Sequence, residues 1–234
     1  MDNQESHYIQ PSFLTKIKGL AFRFNVGESI SAFEMQDFYD EVKDTMFIEY
    51  PDVEMVGVGS ESIVIGDPQN SDRILVYEHT KLYENPMYLQ EKYHIHNILH
   101  ILFPQNFPFV YDVDVNVGLT IRERIFGDKD APPMDSFRAE NAMDAIISKV
   151  KKSIGVDLLM DFKNANYIED KNGNIYYVDF VDNEAFDFNI DEKTALEYFD
   201  QRYASNSDLH NIGLYRESLI SHIKEIDKLA KINN

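Results

Sequence analysis

From Asp52 to Thr80 the apolar residues fall in short runs, "DVEMVGVG", "SIVIGD" and "RILVYEHT", and the turn-rich "DPQNSD" separates the last two. Runs of this length, rich in Val and Ile and bounded by turn formers, predict strands. Two more strand candidates, "FVYDVDVNV" and "LTIRERIF", meet near Gly118. Between the two groups the spacing turns helical, predicting a helix from Pro86 to about Phe103. Proline suits a first helical turn, and Pro104 and Pro108 cannot continue the helix. Upstream, Ser31 and Glu34 form a capping-box pattern ahead of Phe33, Phe38, Val42 and Phe47 at roughly helical spacing. After "GDKDAPPMD", one stripe (Phe137, Ala142, Ala145, Ile146, Val150) predicts a helix that runs to Gly155. The chain closes on two helices, the last carrying Ile212, Tyr215, Leu219, Ile223, Ile226 and Ala230 at three- and four-residue steps. Strands in front and helices behind predict an α+β chain with an antiparallel sheet. The expected organisation is an N-terminal extension over 1–50, a strand-rich lobe over 51–127 and a helical lobe over 128–234.

Composition narrows the partners. Of 234 residues 44% are hydrophobic, with 14 Tyr and 16 Phe, enough for a packed core. Lys and Arg total 22 against 41 Asp and Glu, a net charge of -19. Such a charge repels nucleic acid phosphates and anionic lipid heads, so neither is an expected partner. No cysteine is present, which fits a reducing compartment. No basic segment followed by an apolar one opens the chain, and no 18 apolar residues run together. A cytoplasmic protein is the expectation.

Between the two helical regions lies "LLMDFKNANYIEDKNGNIYYVDFVDN", Leu158 to Asn183. "KNGN" is a turn signal between two short strand-like runs, so the residues before the first and after the second end up side by side. Asn166 and Asp179 stand at about equal distances from Gly173, and Asp161 lies five residues before Asn166. Hard oxygen donors grouped this way suit Mg²⁺, which takes one or two protein oxygens and shares phosphate oxygens for the rest. A nearby Asp outside the metal shell can accept a hydroxyl proton. The hairpin edge therefore reads as a phosphoryl-transfer site. His94, His96 and His100 lie in the preceding helix, but only His96 and His100 share a face there, too few for a zinc site.

At these residues the sequence resembles the protein-kinase-like superfamily, whose catalytic loop reads H-R-D-x-K-x-x-N with D-F-G following across a hairpin. "LMDFKNAN" matches it at Asp161, Lys163 and Asn166, and "VDFV" matches it at Asp179. "GVGSESIV" is similar to the glycine-rich phosphate loop at Gly57, Gly59 and Val64. The resemblance implies a two-lobed fold, bound ATP and Mg²⁺, and transfer of a phosphoryl group to a hydroxyl acceptor. It assigns Asp161 and Lys163 to catalysis and Asn166 and Asp179 to the metal. Gly57, Gly59 and Ser60 would cover the phosphates, and Glu123 lies in the apparent adenine hinge, Arg122 to Gly127. The chain departs from the pattern at Leu159 and Met160, Ser62 and Val181, and at the third strand, where Glu78 or His79 replaces the phosphate-pairing lysine. Lys81 or Lys92 would supply that cation and Glu91 its helix partner. Only about 55 residues follow Asp179, so a minimal, atypical member is implied.

The departures leave two rivals. One is a pseudokinase, a nucleotide- or partner-binding module without turnover; the other is an unrelated α+β interaction protein. The acceptor, small molecule or protein segment, is not specified, although the acidic balance suits a cationic one.

Overall fold

The computed structural model describes residues 11–25, 32–58, 62–78, 86–181, 189–205 and 209–232. The chain divides into two units, Met1–Leu89 with Tyr111–Arg124, and Gln90–Val110 with Ile125–Asn234. The architecture is α+β, in agreement with the periodicity, with an antiparallel sheet in the first unit and a mainly helical second one.

The first unit holds helices α1 (Pro11–Asn25) and α2 (Ala32–Glu49) and strands β1 (Met55–Val58), β2 (Ser62–Asp67) and β3 (Asn70–Glu78). Helix α3 (Pro86–Leu102) begins there and runs into the second unit, and β4 (Val110–Asp114) and β5 (Leu119–Glu123) complete the sheet. The strand order is β1-β2-β3-β5-β4, and β1–β2, β2–β3 and β3–β5 are antiparallel. Strand alternation decides which face is covered. Ile63 and Ile65 of β2, Leu75 and Tyr77 of β3 and Leu119 of β5 are all buried in one cluster with α1 and α2. Helix α1 contributes Phe13, Ile17, Leu20 and Ala21, an i, i+4, i+7, i+8 stripe, and α2 adds Val42 and Met46. Residues before 51, read from sequence as an extension, thus carry the helices that cover the sheet. A sheet face this apolar cannot stay bare in water, and burying one such side chain contributes roughly 1.5–3 kcal/mol. Ser31, of the expected capping box, lies outside the described residues.

The second unit holds the remainder of α3, α4 (Ser136–Ile154), the two-stranded hairpin β6 (Tyr167–Glu169) and β7 (Ile175–Tyr177), α5 (Glu192–Tyr203) and α6 (Leu209–Ile232). Asp135 caps α4 by accepting from the Arg138 N–H at 2.8 Å, and Gly155 ends it with φ 74, a left-handed conformation that favours glycine. The buried stripe of α4 is Ala139, Ala142, Ile146, Val150 and Ile154. Phe137 and Ala145, placed on that stripe from sequence, are exposed instead. Phe137 stands five residues before Ala142 and so on the far side of the helix. On α6 the inward residues are Leu219, His222, Ile223, Ile226 and Leu229, while Tyr215 and Ala230 face solvent. The buried Asn97 of α3 fixes the turn that follows it. Its amide nitrogen donates to the Val110 carbonyl at 2.9 Å and its oxygen accepts from the Val110 N–H at 3.0 Å. No described helix is long and apolar enough to cross a membrane.

Candidate functional site

The hairpin of the second unit is organised by its turn. Asp170 Oδ1 accepts from the N–H groups of Asn172 and Asn174, and Oδ2 accepts from both of their side-chain amides. Desolvation opposes ionisation, but the four bonds together outweigh it and hold the Asp170 carboxyl below its usual value. Gly173 takes φ 78, which closes the turn. The strands pair Tyr167 with Tyr177, Ile168 with Tyr176 and Glu169 with Ile175. A further bond from the Val178 N–H to the Asn166 carbonyl, 2.9 Å, extends the ladder past both strand ends.

That extension sets the candidate site. Asn166 and Asp179 leave the hairpin at its open end, and Asn166 Nδ2 lies 3.4 Å from Asp179 Oδ2. The other Asp179 oxygen accepts from the Phe180 N–H at 2.8 Å. Asp161 sits on the incoming loop, its Oδ2 2.8 Å from Lys163 Nζ and its Oδ1 accepting from the Lys163 N–H at 3.1 Å. The Asp161 main chain is held from the hairpin. Its N–H donates to the Tyr177 hydroxyl at 3.2 Å, and its carbonyl accepts from the Tyr167 hydroxyl at 3.0 Å. Asn164 fixes the same loop to the segment before α4 by donating to the Met134 carbonyl at 3.1 Å. Phe180 is buried, its ring edge-on to His96 with centroids 5.3 Å apart.

A residue outside every motif holds the hairpin's free edge. Asn106 accepts the Tyr177 N–H at its carbonyl, 2.8 Å, and donates its side-chain amide to the Ile175 carbonyl, 3.0 Å. Its Oδ1 accepts from Lys149 Nζ at 2.6 Å. Asn106 thus stands where a third strand would pair. Its only sequence signal is a polar residue in the proline-bounded "FPQNFP". Tyr167 and Tyr177 are legible in the sequence as strand residues but not as partners of Asp161.

Among the described residues no three His, Cys, Asp or Glu side chains group to hold a metal ion. The donor set at the open end is one carboxylate and one amide, a set that suits Mg²⁺ sharing phosphate oxygens and not a fully protein-ligated metal. The helix histidines go separate ways. His94 Nδ1 meets His222 Nδ1 of α6 at 2.8 Å, His100 Nδ1 donates to the Phe107 carbonyl at 2.8 Å, and His96 stacks edge-on against Phe107 and Phe180.

Gly57 lies in β1 of the first unit opposite Val64, where an added Cβ would make only an ordinary contact at 3.9 Å. Gly59, Ser60, His79 and Lys81 lie outside the described residues. Glu91 is half-buried on α3, Lys92 is buried there, and Glu123 is half-buried at the end of β5. The chain leaves the first unit after Arg124. Glu78, at the expected lysine position, is paired with Arg122 of β5, whose guanidinium runs back along its own strand and donates from Nε to Thr120 Oγ1 at 2.9 Å.

No protein-family model matches the chain, and no curated protein does. Among solved structures it is similar to the Rio2 kinase of Chaetomium thermophilum, in an ADP/Mg²⁺–phosphoaspartate complex. The identity is 13%, over 81% of this chain and 76% of that one, with a TM-score of 0.35. It is also similar to the choline kinase LicA of Streptococcus pneumoniae, at 14% identity over 83% of this chain and 91% of that one, again with a TM-score of 0.35.

Proposed function

We propose that the chain is a minimal kinase-like phosphotransferase that uses ATP and Mg²⁺ to phosphorylate a hydroxyl acceptor. The observation that supports this most is the open end of the hairpin, where Asn166 and Asp179 stand in contact and Asp161 and Lys163 form an ion pair on the loop beside them. Asp179 would hold the metal by charge and Asn166 by its amide oxygen; turning the amide over exchanges Nδ2 for Oδ1 without moving the residue. Mg²⁺, when bound, supplies neutralising charge to the phosphates. The rest falls to the chain's own side chains. Asp161 accepts the hydroxyl proton as the acceptor oxygen bonds to the terminal phosphorus and the bond to the departing nucleoside diphosphate breaks. Lys163 keeps the Asp161 carboxylate oriented and places a positive charge beside the transferring group. Positioning and electrostatics carry the rate, with no covalent enzyme intermediate.

One observation favours a second reading, a nucleotide-binding pseudokinase: the third strand carries Glu78, and its carboxylate is already engaged by Arg122. Two measurements separate the readings. Under phosphotransfer, ATP raises the melting temperature only with Mg²⁺, and Asp161→Asn keeps that rise while losing turnover. Turnover unchanged in Asp161→Asn would remove Asp161 from the chemistry. A metal-independent rise with no turnover in either protein would install the binding module.

A further inference from the structure

The loop before Asp161 carries Leu159 and Met160, which offer no polar side chain to aim its carboxylate. The peptide group on either side of Asp161 is nonetheless tied down, and both ties come from one cross-strand pair. Tyr167 and Tyr177 face each other across the hairpin, with ring centroids 5.3 Å apart and both side chains buried. One phenol donates to the Asp161 carbonyl and the other accepts from the Asp161 N–H. The Tyr177 hydroxyl also donates to the Phe180 carbonyl at 3.4 Å, one residue past Asp179. A single oxygen therefore links the loop carrying the proton acceptor to the strand exit carrying the metal carboxylate.

We infer that Tyr167 and Tyr177 are positioning residues for Asp161, a phenol clamp that fixes its carboxylate relative to Asp179. This rests on the phosphotransfer reading. Buried tyrosines need hydroxyl partners in any case, so the test must separate aiming the loop from merely satisfying two phenols.

Tyr167→Phe and Tyr177→Phe each delete one oxygen and keep the ring. If the clamp aims Asp161, kcat falls about 10- to 100-fold in each, the range that a misplaced catalytic group produces. The KM for ATP and Mg²⁺-dependent nucleotide binding stay at wild-type values. Hydrogen exchange of the 161–163 amides rises at least about tenfold in Tyr177→Phe, while exchange within α4 is unchanged. Should Tyr177→Phe fail to fold, Tyr167→Phe, which loses only the bond to the Asp161 carbonyl, decides the matter alone. Wild-type kcat in a folded Phe variant overturns the clamp, as does a loss confined to melting temperature. Absence of turnover in the wild type overturns the phosphotransfer reading and the clamp with it, whereas turnover that neither substitution slows overturns the clamp only.

Discussion

The buried contact between His94 and His222 makes acid sensitivity calculable. Their Nδ1 atoms are 2.8 Å apart, so one must carry a hydrogen and the other must be bare. Protonating both rings would set two N–H groups against each other. Burial pushes the His222 imidazole down from 6.5 to about 4, with the neighbouring His94 adding to the effect. Burial also lowers His94. Glu225 pulls both rings the other way, Lys228 lowers His94, and the Tyr93 ring stands edge-on to each. Below 6.5 the unfolded chain takes up a proton on His222 that the folded chain refuses, so stability falls with falling pH until the folded group titrates near 4. A gap of about 2.5 pH units at ~1.4 kcal/mol each makes the full loss ~3 kcal/mol, of which ~2 kcal/mol comes between about pH 7 and about pH 5. Urea denaturation of wild type and His222→Gln at those two pH values isolates the effect, because carboxylates such as Asp170 and Asp191 titrate alike in both. The stability advantage of wild type over the variant should shrink by ~2 kcal/mol on acidification. A difference that stays level would refute the neutral buried pair.

At the hairpin, Asp179→Ala should abolish Mg²⁺-dependent ATP binding, while Asn166→Ala only weakens it, because a carboxylate brings a full charge where an amide brings a dipole. Calorimetric titrations that leave both variants like wild type would dissolve the metal assignment. In the first unit, Glu78→Ala leaves the buried Arg122 guanidinium without that carboxylate, at a cost of about 3 kcal/mol in urea. Replacing the pair together, Glu78→Met with Arg122→Leu, should cost less than the single change, and a Glu78→Ala loss under about 1 kcal/mol would contradict a buried pair.

What is legible in the chain is what short-range geometry decides. The approach of Asn166 to Asp179 follows from a turn between them, so "KNGN" is enough to anticipate it. The ends of α4 are written in Asp135 and Gly155. The Glu78–Arg122 pair depends on how β3 and β5 register across 44 residues, and the His94–His222 contact spans 128. No local pattern encodes either. Helical spacing groups His96 with His100, yet the partner of His94 comes from the last helix. Helix α1 has a readable stripe in Phe13, Ile17, Leu20 and Ala21, but only the assembled sheet shows the face that needs such a cover.

The way the chain threads its two units bears on how it is made and cut. The first unit ends at Leu89 and resumes at Tyr111. On the ribosome, β3 therefore emerges well before β5, the strand that pairs with it from Arg73 to Tyr77. Until Leu119–Glu123 follows, one long edge rich in Ile, Leu and Val has open N–H and C=O groups, the kind of edge that recruits other chains. A fragment stopped at Leu89 would retain the apolar face and lose that guard, and is expected to aggregate on expression. A boundary drawn after Arg124 keeps the sheet's edge closed.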